Sequence, residues 1–270
     1  MKNNNSSLGI KLFYSNNPIS SAEKIIKKAI ETLDGLNKIY SIDPTTAKFL
    51  RSKKVNESNI NHFLTLLKEK KTEDIFLDRC NNGQIEIDLD ISFNEKFRNT
   101  IELIVSNNNE IKFDKILSFL KETILPVITL NYGIITIETD YNFTVHELSS
   151  SSPTWFAPGE DHDEKLWYPK FDKERRFYQQ LNDKHDEFIR KAYWANFLNS
   201  THIKKIGGIE KIKKECPVFL VEELSNKNVY IQLTEKIEDF GTNEYYKKLK
   251  ILDNFLKPAK HPKSPNPIFK

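Results

Sequence analysis

Gln84-Ile85-Glu86-Ile87-Asp88-Leu89-Asp90-Ile91-Ser92 alternates apolar and polar side chains without a break. A strand repeats every two residues, so Ile85, Ile87, Leu89 and Ile91 share one face and Glu86, Asp88 and Asp90 the other. One face suits a core and the other suits water, which marks an antiparallel sheet covered on one side. Asn81-Asn82-Gly83 just before it reads as a hairpin turn, with residues 75–79 as the partner strand. Residues 100–105 predict a third strand beside these two.

Working outward, residues 9–14 predict an early strand, although Lys11 interrupts its apolar run. Ser20 or Ser21 caps a helix with Ile25, Ile26, Ala29, Ile30, Leu33, Leu36 and Tyr40 at helical spacing. Gly35 weakens that pattern near its end. Asp43-Pro44 breaks the chain, and Pro44 suits the first position of another short helix. Ser58 caps a further helix whose apolar face reads His62, Phe63, Leu66 and Leu67. Phe113, Ile116, Leu117, Leu120 and Ile124 describe an amphipathic helix stopped by Pro126, and residues 132–139 form the next strand with Gly133 at its start.

Residues 148–170 differ in kind, with four consecutive serines, then Pro153, Pro158, Gly159 and Pro169. They read as a long loop within one domain. Beyond it come a helix over 171–189, an apolar strand over 192–198, and a short helix Ile209–Glu215 opened by Gly207-Gly208. A hairpin of 218–221 with 229–233 follows, then a closing helix over 243–256. Strands run in succession and helices do not alternate strictly with them. The expected class is therefore α+β, a mostly antiparallel sheet with helices packed on one face. The expected organisation is one domain over 1–257 and a Pro/Lys-rich tail over 258–270.

The 270 residues include 11% aromatic and 29% charged side chains, too aromatic for a disordered chain and too polar for a membrane protein. A chain this long needs no disulfide or metal staple, and Cys80 and Cys216 are too isolated to make one. With only 8 glycines, neither a dinucleotide-binding fingerprint nor a phosphate-binding loop is spelled out. The net charge of +3 comes from Lys257, Lys260, Lys263 and Lys270, which leaves residues 1–256 near neutral. A nucleic-acid reader would carry its basic excess on the body, so neither nucleic acid nor membrane is an expected partner. The polar start and the two thiols lead us to expect a cytoplasmic protein.

Glu160, Asp161, His162, Asp163 and Glu164 are the most metal-like run. Contiguous loop side chains point apart, so a solvated loop or a docking surface is expected and no metal. No cofactor is expected either. His185, Asp186 and Glu187 read as a polar helix face. Cys80 and Cys216 read as small buried residues, and no catalytic residue is assigned. Glu86, Asp88 and Asp90 read first as a solvent face, or else as a carboxylate row that steers a basic partner. Trp155, Phe156, Trp167 and Tyr168, interleaved with Asp161, Asp163 and Glu164, either pin the long loop or anchor a protein partner.

The C-terminal third carries Tyr193-Trp194-Ala195-Asn196-Phe197-Leu198, then Ile203, Ile206-Gly207-Gly208, the strand at 229–233 and a closing helix ending in Leu256-Lys257-Pro258. This pattern resembles the bacterial type VI immunity protein family and the related immunity protein 52 group of polymorphic toxin systems. Trp194, Gly207 and Gly208 would be structural: a core ring and a tight helix opening. The resemblance implies an antitoxin that binds a cognate protein toxin and blocks it, with no catalysis of its own. The competing readings are a hydrolase or transferase using His162 or His146 with nearby acids, and a structural domain of a secretion or phage-related assembly.

Overall fold

The computed structural model describes residues 7–16, 18–43, 45–46, 48–82, 84–93, 99–106, 113–138, 184–236 and 239–264. The alternating stretch is strand β7 (Gln84–Ser92), paired with β6 (Asp74–Asn81) and β8 (Asn99–Ser106) in an antiparallel meander. β1 (Ser7–Tyr14) lies against β8, and β9 (Leu130–Glu138) against the other side of β1. β10 (Ala195–Leu198), β12 (Val229–Gln232) and β11 (Leu220–Glu223) extend the sheet beyond β9. β2 (Lys38–Tyr40) and β5 (Lys53–Lys54) complete it beyond β6. The resulting ten-stranded sheet has the order β11-β12-β10-β9-β1-β8-β7-β6-β2-β5. A separate pair joins β3 (Ile42–Asp43) to β4 (Lys48–Phe49). The α+β class and the antiparallel sheet are as expected.

Register explains which face is core. Residues directly opposite on antiparallel strands share a face. One row runs Ile135, Ile10, Leu103, Leu89, Leu77, Ile39 across six strands, all of them buried. Removing each such side chain from water contributes about 2 kcal/mol. The next residue along each strand gives the row Ile134, Lys11, Glu102, Asp90, Phe76, Tyr40 on the opposite face. The sheet therefore has an aliphatic face and a mixed face, and β1 sits at the centre of both.

Helices α1 (Ala22–Thr32) and α3 (Phe113–Phe119) meet over the aliphatic face. α3 continues as a π-helical turn, Leu120–Ile124, whose Lys121 pairs with Glu222 and lies over the Tyr230 ring, both on that face. The wider turn keeps Ile116, Phe119, Leu120, Thr123 and Ile124 inward. α1 buries Ala22, Ile25, Ile26 and Ala29, but it ends before the expected Leu36 and Tyr40. Gly35 takes a left-handed φ of +84°, and residues 38–40 are strand β2. α2 (Glu57–Lys68) is capped by Asn56, not Ser58: its side chain accepts from the Asn59 N–H at 2.9 Å. The buried face is accordingly Ile60, Phe63, Leu64 and Leu67. Ile42–Asp43, expected to lead into a short helix, belongs to β3.

A helix absent from the sequence reading follows β10. α4 (Ser200–Ile206) is opened by a capping box: Asn199 accepts from the His202 N–H at 3.0 Å while His202 Nδ1 accepts from the Asn199 N–H at 3.4 Å. Gly207, at φ +111°, closes α4, and Gly208 caps α5 (Ile209–Glu215). The double glycine is thus a joint between two helices. α4 lies on the mixed face, where His202 meets Tyr132 edge to face at 5.8 Å. α6 (Asn243–Phe255) is capped by Thr242 and closes the order.

Candidate docking face

The mixed face divides at β1. On the β9 side it is covered by residues 184–193, whose His185 stacks on Phe13 at 4.0 Å and on Tyr132 at 6.2 Å. The expected polar helix face at 185–187 is therefore corrected. His185 is buried in an aromatic stack, and residues 184–187 form a single turn. Arg190 sits over the same Phe13 ring at 5.3 Å.

On the other side lie β7, β6 and β2; of the three predicted carboxylates, all on β7 and half-buried, Asp88 and Asp90 face this side, whereas Glu86 turns at a β-bulge to pair with Arg79, which the register places on the aliphatic face. Each has a different environment. Glu86 lies beside the β-bulge at Arg79/Cys80, where Arg79 Nε approaches its Oε2 at 2.8 Å. Asp88 stands directly opposite Asp78, which is buried, and the two carboxyl groups hydrogen-bond. Burial pushes the Asp78 carboxyl up from its ordinary range, opposed by hydrogen bonds from Tyr40 and Asp88 and by Lys38. Asp90 lies between Phe76 and Glu102. Burial, then the charges of Glu102, Asp74 and Asp88, push it well up. Asp74 is also raised by burial.

Sequence reasoning missed the partners of this row. Lys11 is buried and pairs with Glu102 across β1 and β8, and burial lowers its ammonium pKa against the pull of that carboxylate. Tyr40 stacks on Phe76 at 5.0 Å and meets Phe49 at 5.8 Å, and its hydroxyl donates to Asp78 Oδ1 at 3.3 Å. The one signal for Lys11 was its intrusion into an apolar run, where an internal charge implies a partner across the strands.

Trp155, Phe156, Asp161, Asp163, Glu164, Trp167 and Tyr168 lie outside the described residues, as do His146 and His162. Among the described residues no cluster of His, Cys, Asp or Glu is arranged to hold a metal ion. Burial pushes the Cys216 thiol up to about 12, so it is a thiol at neutral pH. Among the described residues no helix is long and apolar enough to cross a membrane.

No family model matches the chain, and no curated protein matches it. Among solved structures, it is similar to the Pseudomonas aeruginosa T6SS protein PA0821. The likeness has a TM-score of 0.58 at 12% identity and covers 94% of this chain and 73% of that one. The two chains share a fold across nearly the whole of this protein.

Proposed function

We propose that this protein is an immunity protein that binds a cognate bacterial toxin and blocks it by occlusion, without chemistry of its own. The observation that carries this reading is the β2–β6–β7 face, where half-buried carboxyls adjoin an aromatic group that includes the exposed Phe49. Aromatic anchors beside charge are what tight protein interfaces use. The fold shared with a protein named for type VI secretion supports a toxin-delivery setting. Glu86, Asp88 and Asp90 are the proposed contacts on the sheet. Trp155, Phe156, Asp161, Asp163, Glu164, Trp167 and Tyr168 are proposed from sequence alone. The toxin would be met in the cytoplasm, and neither nucleic acid nor cofactor takes part.

Co-expression with the product of the adjacent gene tests the reading. The expected outcome is relief of growth arrest together with a stable complex, burying on the order of 1,600 Å2 in total. Growth arrest that persists, with no complex on size-exclusion chromatography, would overturn it.

A further inference from the structure

β11 ends the ten-stranded sheet, and its outer edge is open among the described residues. The Leu224 N–H donates to the Asn228 carbonyl at 2.8 Å, closing the hairpin with β12. Alternate residues of a strand point their backbone groups to opposite sides, so Leu220 and Glu222 bond β12 while Val221 and Glu223 turn their N–H and C=O outward. Leu220 and Val221 are half-buried, Glu223 is exposed, and Phe219 at the head of the strand is 54% exposed. The far edge is built differently. β5 is only Lys53–Lys54, the short, charged kind of edge that refuses another strand. On β11 the charges are matched instead: Glu222 pairs with Lys121, and Glu223 with Lys213 of α5 at 3.4 Å.

A second copy of the chain fits this edge in one register. Identical strands related by a two-fold axis pair antiparallel around a residue that faces itself. Centred on Glu222, the pairing sets two carboxylates directly opposite each other, which opposes it. Centred on Leu220, it sets Pro217 opposite Glu223, and proline has no N–H to give. Centred on Val221, it sets Val221 against Val221 and Phe219 against Glu223, and no like charges meet. Each Val221 N–H then donates to the other copy's Val221 carbonyl, and each Glu223 N–H to the other copy's Phe219 carbonyl. The Phe219 N–H is not needed, since it already donates to the Gln232 and Leu233 carbonyls. We propose that two copies of this chain pair through β11 in this register and join their sheets into one. β11 lies at the opposite end of the sheet order from β2, β6 and β7, so the dimer carries a β2–β6–β7 face at each far end. The pairing does not depend on the immunity reading.

A seam this short falls below the ~1,600 Å2 of a stable interface, so association is weak and is read by sedimentation velocity on the full chain from about 10 μM to about 1 mM. The mass should rise with concentration from 31.6 kDa toward twice that value. Val221→Pro removes an outward N–H and no bond to β12, so it should weaken the dimer about tenfold with an unchanged melting temperature. Phe219→Glu, at an exposed ring, sets a carboxylate against Glu223 of the other copy and should weaken it as much, which covers a proline variant that does not fold. The register has its own readout. In a chain with Cys80→Ser and Cys216→Ser, Val221→Cys should form an intermolecular disulfide under a mild oxidant, because facing Cα atoms lie about 5.5 Å apart. Glu223→Cys should not, because its two copies lie about 13 Å apart along the seam. A chain that stays monomeric throughout, a dimer that either edge variant leaves untouched, or a disulfide formed by the Glu223→Cys variant and not by Val221→Cys would overturn the proposal. So would a monomer whose Val221 and Glu223 amides gain exchange protection only when a toxin binds, which would assign the edge to a strand of that partner.

Discussion

His202 is fully buried at the third position of α4, and its Nδ1 accepts the Asn199 N–H. Burial, with the Lys205 charge adding to it, lowers its pKa to about 3. The folded imidazole therefore stays neutral where the unfolded one, titrating near 6.5, takes up a proton. Below pH 6.5 the unfolded chain binds more protons at this residue, so stability falls as pH falls toward 3. Each unit is worth about 1.4 kcal/mol, so going from pH 6.5 to 5 costs about 2 kcal/mol through this one side chain. His202→Gln keeps an acceptor at the third position and removes the titration. Urea unfolding of both proteins at pH 7 and pH 5 should show the wild type losing about 2 kcal/mol more than the variant. Asp78 and Asp90, raised by burial, respond in the opposite sense, and do so equally in both proteins. Parallel losses in the two proteins would show that His202 is not the group responsible.

At the scale of elements, β7 was legible end to end because strict alternation is a local property that no other element imitates. The hairpin with β6 and the strands β1, β8 and β9 were legible for similar reasons. α1 was read too long because Leu36 and Tyr40 kept the helical spacing by coincidence, and a left-handed Gly35 had already ended the helix. α4 escaped because its box uses histidine where the recognisable signature has Glu or Gln, and seven residues give little periodicity. The aromatic group escaped for a deeper reason. Tyr40, Phe76 and Asp90 are neighbours only through register, and no local pattern reports register across three strands. Gly133 is the reverse case, a strand glycine that signals close approach. It stands opposite both Leu12 and Phe197, and a Cβ there would lie 2.5 Å from Leu12 Cδ2 and 3.0 Å from Phe197 Cβ. Gly133→Ala should cost about 2 kcal/mol by overpacking. Adding Leu12→Val, which removes the nearer clashing atom, should return part of it in chemical denaturation, and an unaffected single variant would mean the sheet yields freely at this crossing.

At the scale of the molecule, the cover over the β9 half of the mixed face depends on how residues 258–261 are fastened. The stretch from Pro258 reads in sequence as a Pro/Lys-rich tail, yet Ala259 is buried and Ile189 N–H donates to its carbonyl at 3.1 Å. Lys260 forms an ion pair with Asp253, and Asp253 Oδ1 also accepts the Ala192 N–H at 2.8 Å. His261 meets Phe188 at 4.9 Å, and Lys205 of α4 lies over the same ring at 3.7 Å. Asp253 thus ties α6, the chain end and residues 184–193 together, and the last of these seats His185 and Arg190 on Phe13. Both members of the pair are only 9% exposed, so removing one strands the other charge. Asp253→Ala should destabilise the fold by about 3 kcal/mol, lowering the melting temperature by about 8 °C. Lys260→Met added to Asp253→Ala should recover part of that loss, because it removes the stranded ammonium and leaves only the missing bond to Ala192. A double variant no more stable than the single one would place the cost in that backbone bond and not in the ion pair.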